Sequence, residues 1–163
     1  MLVAVVSDTH LPKGHRRIPD PCLGRLQAAD LILHAGDFSS IDVLLELRAY
    51  GPVAAVYGNV DGWDVREEVP ERTVVEAAGA RIGMVHDAGP AKGRLDRMRA
   101  AFPDVDAVVF GHSHIPLHER GPDGFQIFNP GSPTDRRRQP HHTMGLAYVD
   151  GDGAIRFEHL RLD

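Results

Sequence analysis

Five short apolar runs, each followed at once by side chains that bind metal ions, constrain the fold of this chain more than any other feature. The runs span residues 2–6, 31–33, 53–57, 82–85 and 107–110. The donors that follow them are Asp8, His10, Asp37, Asn59, His86, His112 and His114. Each run has the length and β-branched content of a buried strand. Because ligands of open α/β sheets bind beyond the carboxyl ends of the strands, the pattern predicts seven donors at one metal site.

The order of the predicted elements indicates a layered α/β fold. Strand and helix signals alternate up to residue 57, which predicts a βαβαβ unit with a parallel sheet. A hairpin is expected at 72–76 and 82–85, and the chain from residue 106 onward is mainly strand. Helices are expected at about 19–29, 40–50 and 93–102. Two packed sheets with helices outside bury both halves, so we expect one α/β domain spanning residues 1–163.

Composition excludes several classes of protein. The single cysteine, Cys22, excludes an internal disulfide framework and a thiolate metal site. A formal net charge of −5 argues against sequence-independent binding to the nucleic-acid backbone, so nucleic acid is not an expected partner. No run approaches the roughly 20 apolar residues that span a bilayer, and no charged leader precedes the first strand. These features predict a cytoplasmic protein that does not bind membranes.

Each motif has a simpler structural explanation when it is taken alone. Asp37 suits a helix cap, and Asn59 lies in a glycine-flanked turn. An isolated His-x-His pair, such as His112 and His114, is most often a pair of exposed loop histidines. The presence of all these residues at strand ends favours the metal site instead. His34 alternates with its strand neighbours and is expected to be structural.

Five motifs in this order resemble the calcineurin-like metallophosphoesterases. They are Asp8-x-His10, Gly36-Asp37, Gly58-Asn59-x-Asp61, His86 and Gly111-His112-x-His114. The chain length and the segment Asn129-Pro130-Gly131-Ser132 are similar to the small, single-domain phosphodiesterase branch of that family. The resemblance implies a four-layer αββα sandwich with two mixed β-sheets, in agreement with the layered fold expected above.

The resemblance also implies two divalent metal ions. The first would take Asp8, His10, Asp37 and His114, and the second would take Asp37, Asn59, His86 and His112. Asp37 is then the bridge, a hydroxide between the ions is the nucleophile, and Asp37, Asn59 and His86 are assigned as catalytic. The substrate is expected to be a small phosphoester. Mixed imidazole and carboxylate ligands accommodate manganese, iron, cobalt, nickel and zinc, of which Mn²⁺ is the expected activating ion.

Val60 departs from the family pattern. Many members have a histidine directly after the asparagine, acting on the leaving group or the phosphate, and valine cannot donate a proton. This departure and the similarity to the small branch favour phosphodiesters, while a phosphomonoesterase stays an alternative. His15 and Arg138 are expected to contact the substrate.

The same residues admit two alternatives outside small-molecule hydrolysis. One is a non-catalytic protein-interaction scaffold, as in the retromer-subunit relatives of this fold, but the complete donor set argues against it. Another is a nuclease, which the negative net charge of the chain disfavours. An exposed edge strand in the β-rich half would suit a homo-oligomer.

Overall fold

The apolar runs form strands in the computed structural model, which describes residues 1–163 as ten strands and four helices. The strands are β1 (Leu2–Val6), β2 (Leu31–His34), β3 (Val53–Ala55), β4 (Arg72–Ala77), β5 (Ala80–Val85), β6 (Ala107–Val109), β7 (Leu117–Arg120), β8 (Gln126–Asn129), β9 (Thr143–Val149) and β10 (Ile155–Arg161). The helices are α1 (Asp20–Ala28), α2 (Ile41–Tyr50), α3 (Trp63–Glu68) and α4 (Arg94–Ala101). None of these helices combines the length and the apolar character needed to cross a bilayer.

The strands form two mixed sheets of five strands each. The first has the order β10-β9-β1-β2-β3, in which β1, β2 and β3 are parallel and β9 is antiparallel to both of its neighbours. The second has the order β4-β5-β6-β8-β7, with parallel β5, β6 and β8 between two antiparallel edge strands. Helices α1 and α2 form the crossovers of the predicted βαβαβ unit.

Alternation of side chains along the strands explains the layers. In β1, Val3 and Val5 pack against residues of the second sheet such as Ile82. Their neighbours Ala4 and Val6 face the other way, into a cluster formed with α1, α2 and α3. A third cluster joins α4 to the outer face of the second sheet. The resulting order of helices, sheet, sheet and helix confirms the expected four-layer αββα sandwich.

Two local expectations were wrong. The strand expected at 53–57 ends at Ala55, because the chain turns away and the amide of Tyr57 donates to Pro70 O at 3.0 Å. Helix α3 was not expected. It begins after Gly62, and only Val65 is buried among its six residues, so the sequence carries no helical repeat there.

Candidate metal centre

Loops from both sheets meet at the carboxyl ends of β1, β2, β3, β5 and β6. Backbone hydrogen bonds join them: the amide of Asp8 donates to Gly36 O at 2.9 Å, and the amide of Gly111 donates to His86 O at 2.9 Å. These five strands belong to two sheets, with β1, β2 and β3 in the first and β5 and β6 in the second. The donors converge because the two sheets pack face to face and end at the same edge.

Five of the seven predicted ligands have a left-handed backbone conformation. The φ angles are 56° at Asp8, 45° at His10, 61° at Asp37, 68° at His112 and 58° at His114. Positive φ is uncommon outside glycine, although Asp and His adopt it more readily than most residues. Such conformations cost about 1–3 kcal/mol each and concentrate at functional sites. The surrounding fold therefore maintains strained conformations at the positions that carry the donors.

Two glycines allow the loops to approach the carboxylates. A Cβ atom on Gly58 would lie 2.0 Å from Asp37 Oδ1, and a Cβ atom on Gly111 would lie 1.9 Å from Ser7 Oγ and 2.7 Å from Asp8 Oδ2. Any larger residue would displace these side chains. The glycines that precede Asn59 and His112 in sequence are therefore required by close packing at the site.

The first donor group consists of Asp8, His10 and His114, whose ligand atoms all lie within 4.8 Å of one another. His114 Nε2 is 3.2 Å from His10 Nε2 and 3.4 Å from Asp8 Oδ1. Asp8 Oδ1 is 3.9 Å from His10 Nε2. Ligands held about 2.1 Å from one ion lie roughly 3.0–3.4 Å apart. All three residues are buried, and their spacing fits one divalent ion with small adjustments.

The second donor group consists of Asp37, His86 and His112, again within 4.8 Å, with the amide oxygen of Asn59 beside them. Asn59 Oδ1 lies 3.2 Å from His86 Nε2 and 3.0 Å from His112 Nδ1. Two members are buried, whereas His112 is exposed. The second donor group therefore opens to solvent through His112.

Asp37 connects the two donor groups. Its Oδ2 atom is 3.2 Å from His86 Nε2 and 3.7 Å from His10 Nε2. Its Oδ1 atom accepts a hydrogen bond from the amide of Val60 at 3.0 Å. The helix-cap alternative for Asp37 is wrong, because Ser40 caps α2 instead. One carboxylate oxygen thus lies between the two groups.

Asp8 gives an independent indication that a cation belongs here. Its Oδ1 atom is buried and has no hydrogen-bond partner. Burial raises the pKa of Asp8 from 3.8 to about 7, although the nearby His86 lowers it. A buried carboxylate oxygen without a partner is unfavourable unless a cation approaches it. The residues present therefore fit divalent metal ions.

Asp37 and His86 shift each other's pKa in opposite directions. Burial alone would raise the pKa of Asp37, but the hydrogen bond and charge of His86 outweigh burial and lower it. Burial would lower the pKa of His86, but the hydrogen bond to Asp37 and the charge of Asp8 raise it. Metal ligation requires a neutral imidazole, so an ion in this group would compete with protonation of His86.

Main-chain carbonyls orient two of the imidazoles. His86 Nδ1 donates to Ala35 O at 2.7 Å, and His114 Nδ1 donates to the main-chain oxygen of Asp135. Each bond fixes the ring and leaves Nε2 facing its donor group, which is the arrangement that ligating histidines require. Nothing in the sequence around Asp135 indicated this role.

Asp61 holds the loops after β2 and β3 together. Its Oδ2 atom accepts from the amides of Asp37 at 2.9 Å and Gly58 at 2.7 Å. Its Oδ1 atom accepts from the amide of Ser39 at 2.9 Å. Asp61 therefore positions the backbone of Asp37, and its place two residues after Asn59 was the only signal for this.

The Asn-Pro-Gly-Ser turn contributes two further positioning residues that the residue pattern alone did not reveal. Asn129 Nδ2 donates to Gly111 O at 2.8 Å, which secures the loop that carries His112 and His114. Ser132 Oγ donates to Asp8 O at 2.8 Å. The turn thus fixes the donor loops of both β1 and β6.

The remaining predicted residues have other surroundings. His15 and Arg138 are exposed, and neither has a hydrogen bond or an ion pair with any of the seven donors, so their contact with substrate stays a prediction. His34 is buried, lies 3.1 Å from Thr9 Oγ1 through Nε2, and accepts from the amide of Gly36 through Nδ1 at 3.1 Å. His34 is structural, as expected.

Two mixed sheets thus bring two groups of possible metal ligands to their shared edge. The sequence model of the calcineurin-like phosphoesterase superfamily domain matches residues 1–152. A probable metallophosphoesterase of Methanothermobacter thermautotrophicus is 34% identical over 154 residues, covering 93% of this chain and 88% of that protein. The chain belongs to the calcineurin-like phosphoesterase superfamily, and the expected family is confirmed.

Solved structures show the same fold. Wild-type Vps29 of Entamoeba histolytica complexed with zinc gives a TM-score of 0.78 at 23% identity, with both chains fully covered. A structure described as a novel archaeal phosphodiesterase gives a TM-score of 0.68 at 23% identity, covering 98% of this chain and 100% of that one. At this level of identity the likeness establishes the fold alone.

Proposed function

We propose that this protein is a dinuclear metal-dependent phosphodiesterase that hydrolyses a small phosphoester. The observation that carries the proposal is the position of Asp37 Oδ2, 3.2 Å from His86 in one donor group and 3.7 Å from His10 in the other. A carboxylate shared in this way would ligate two ions, and a two-ion centre would suit in-line displacement at phosphorus. Family membership supports metal dependence and phosphoester hydrolysis.

The proposed ligands follow the two donor groups. They are Asp8, His10, His114 and Asp37 for one ion and Asp37, Asn59, His86 and His112 for the other. Both groups mix imidazole with carboxylate, which accommodates several transition ions, and we propose Mn²⁺ as the activating one. Zinc, iron, nickel and cobalt are the competing ions that a metal screen must include.

The chain's residues prepare this chemistry by position and charge. When bound, the two ions supply a water of lowered pKa as nucleophile and positive charge that stabilises the transferring phosphoryl group. Asn59 contributes a neutral oxygen, so it leaves more positive charge available to the phosphoryl group than a carboxylate would. Ala35 fixes the ring of His86. The exposed His112 marks the side from which substrate approaches.

The absence of an acid beside Asn59 gives an expectation about substrates. Val60 occupies the following position and is 47% exposed, so no side chain at this place donates a proton to the leaving group. We expect diesters with aryl leaving groups, which depart without protonation, to have a much higher kcat/KM than alkyl diesters. Similar values for the two classes would contradict this expectation.

The reaction class is tested with metal-stripped protein, with and without Mn²⁺. We expect Mn²⁺ to restore hydrolysis of bis(p-nitrophenyl) phosphate, with slower turnover of p-nitrophenyl phosphate. Asp37→Ala is expected to abolish turnover, whereas Asp152→Ala, in an exposed turn, leaves it unchanged. A non-catalytic scaffold makes the opposite prediction, since it would bind metal without hydrolysing either ester. Faster turnover of the monoester would favour a phosphomonoesterase.

A further inference from the structure

An ion-pair network centred on the buried Asp135 adjoins the first donor group. Asp135 accepts from His114 Nδ1 through its main-chain oxygen, and its amide donates to Ser132 Oγ at 2.8 Å. Its carboxylate Oδ2 lies 2.9 Å from Arg16 Nη1 and 3.4 Å from Arg137 Nε. One residue therefore orients a proposed metal ligand with its main chain and forms ion pairs with two arginines through its side chain.

The network has a surplus positive charge near the site. Burial would raise the pKa of Asp135, but the hydrogen bond and charge of Arg16 outweigh burial and lower it, so the carboxylate is ionised. Two guanidinium groups and one carboxylate leave a net charge of one. This surplus charge lies on the two arginines that contact Asp135, whose main-chain oxygen accepts from His114.

Arg137 is anchored at one end and free at the other. Its Nε atom faces Asp135, while its two terminal nitrogens have no protein partner, and its side chain is 60% exposed. By contrast, Arg66 donates to the main-chain oxygens of Asp61, Gly58 and Asn59. A guanidinium that contacts a carboxylate through Nε and keeps its terminal nitrogens free matches the oxygens of a phosphate group.

The backbone also distinguishes Arg137 from its neighbours. Its φ angle is 52°, a left-handed conformation shared with five of the predicted ligands. Arg138 is exposed and makes no ion pair or side-chain hydrogen bond. Of the arginines after the Asn-Pro-Gly-Ser turn, Arg137 is therefore the one that the network connects to the first donor group through Asp135.

We propose that Arg137 binds a non-bridging oxygen of the substrate phosphoryl group, with Asp135 and Arg16 as its positioning residues. The proposal rests on the phosphoesterase function proposed above and assigns to Arg137 the role that the sequence suggested for Arg138. The contact forms in the ground state as well as in the transition state. Its loss therefore raises KM more than it lowers kcat.

Binding of inorganic phosphate to the Mn²⁺-loaded protein tests the contact without requiring turnover. Isothermal titration calorimetry should show phosphate affinity about tenfold weaker in Arg137→Ala than in the wild type. Arg138→Ala removes the same charge one residue away and should change the affinity less than about twofold. Arg137→Lys keeps the positive charge but loses the paired N–H donors of the guanidinium, so we expect an intermediate phosphate affinity. Two bound ions and an unchanged melting temperature would show that Arg137→Ala leaves the centre intact.

Kinetics with bis(p-nitrophenyl) phosphate separates the two proposals. A rise in KM of about tenfold in Arg137→Ala, with kcat reduced less than KM is raised, supports the contact. Equal phosphate affinity in wild type and Arg137→Ala, or an equal loss in Arg138→Ala, would overturn it. If the wild type binds phosphate through Arg137 but hydrolyses neither ester, the proposed function fails and the contact stands. If the wild type hydrolyses the diester and Arg137→Ala matches it in both assays, only the contact fails.

Discussion

Replacing Asp8 with asparagine is expected to stabilise the metal-free protein and to weaken its response to metal. Asp8 Oδ1 is buried without a partner, and burial raises the pKa of this carboxyl from 3.8 to about 7. Each tenfold change in proton affinity corresponds to about 1.4 kcal/mol, so ionising Asp8 in the folded protein costs about 4 kcal/mol. Asparagine removes the charge, and it tolerates the φ of 56° found here.

The pH dependence has a definite sign. Because the pKa of Asp8 is raised by folding, the folded protein holds this proton more tightly than the unfolded chain does. The destabilising effect of Asp8 is therefore absent below pH 3.8, grows as the pH rises toward 7, and is complete above about 7. The difference between wild type and Asp8→Asn should follow the same course.

Urea unfolding at a pH of about 8 in the presence of a chelator measures the effect. We expect Asp8→Asn to raise the free energy of unfolding by up to about 4 kcal/mol, and the exposed control Asp152→Asn to change it by less than about 0.5 kcal/mol. Saturating Mn²⁺ should then stabilise the wild type, by about 2.7 kcal/mol at a hundredfold excess over Kd, and the variant much less. A metal-free variant no more stable than the wild type would refute the reasoning.

Two further expectations concern a glycine and a buried histidine. Gly58→Ala should weaken metal binding about 10- to 100-fold, because its Cβ would lie 2.0 Å from Asp37 Oδ1, while Gly24→Ala, whose Cβ meets nothing within 4 Å, should leave binding unchanged. Metal titration compares them, and equal affinities would contradict the packing argument. Burial lowers the pKa of His34 from 6.5 to about 3, so its neutral form contributes stability that is present above pH 6.5 and is lost as the pH falls. Between pH 6.5 and about 4 the metal-free wild type should lose about 3 kcal/mol more than His34→Gln, and parallel urea-unfolding profiles would count against this assignment.

The sequence was most informative where local signals sufficed. Each donor follows its strand within a few residues of the sequence, so Asp8, Asn59 and His86 were identified without knowledge of strand pairing. The His-x-His pair illustrates the limit of such signals. His114 is buried and His112 is exposed, a difference that arises from packing against the loop after β8 rather than from the local sequence.

Features that depend on long-range contacts were not accessible from the sequence. Asp135 lies 21 residues after His114, and its main-chain contact with that imidazole follows from the path of the turn after β8. The same path brings Arg137, rather than Arg138, to Asp135. The single-domain organisation, the cytoplasmic location and a homo-oligomer stay predictions.

The number of metal ions that the chain binds tests the dinuclear centre most directly. Metal-stripped wild type should take up two equivalents of Mn²⁺ in an equilibrium titration, and hydrolysis of bis(p-nitrophenyl) phosphate should appear with the second. Asp37→Ala removes the shared carboxylate, so it should bind fewer than two equivalents and hydrolyse nothing, while Asp152→Ala behaves as the wild type does. Full activity with a single equivalent, or two equivalents and undiminished activity in Asp37→Ala, would contradict a centre bridged by Asp37.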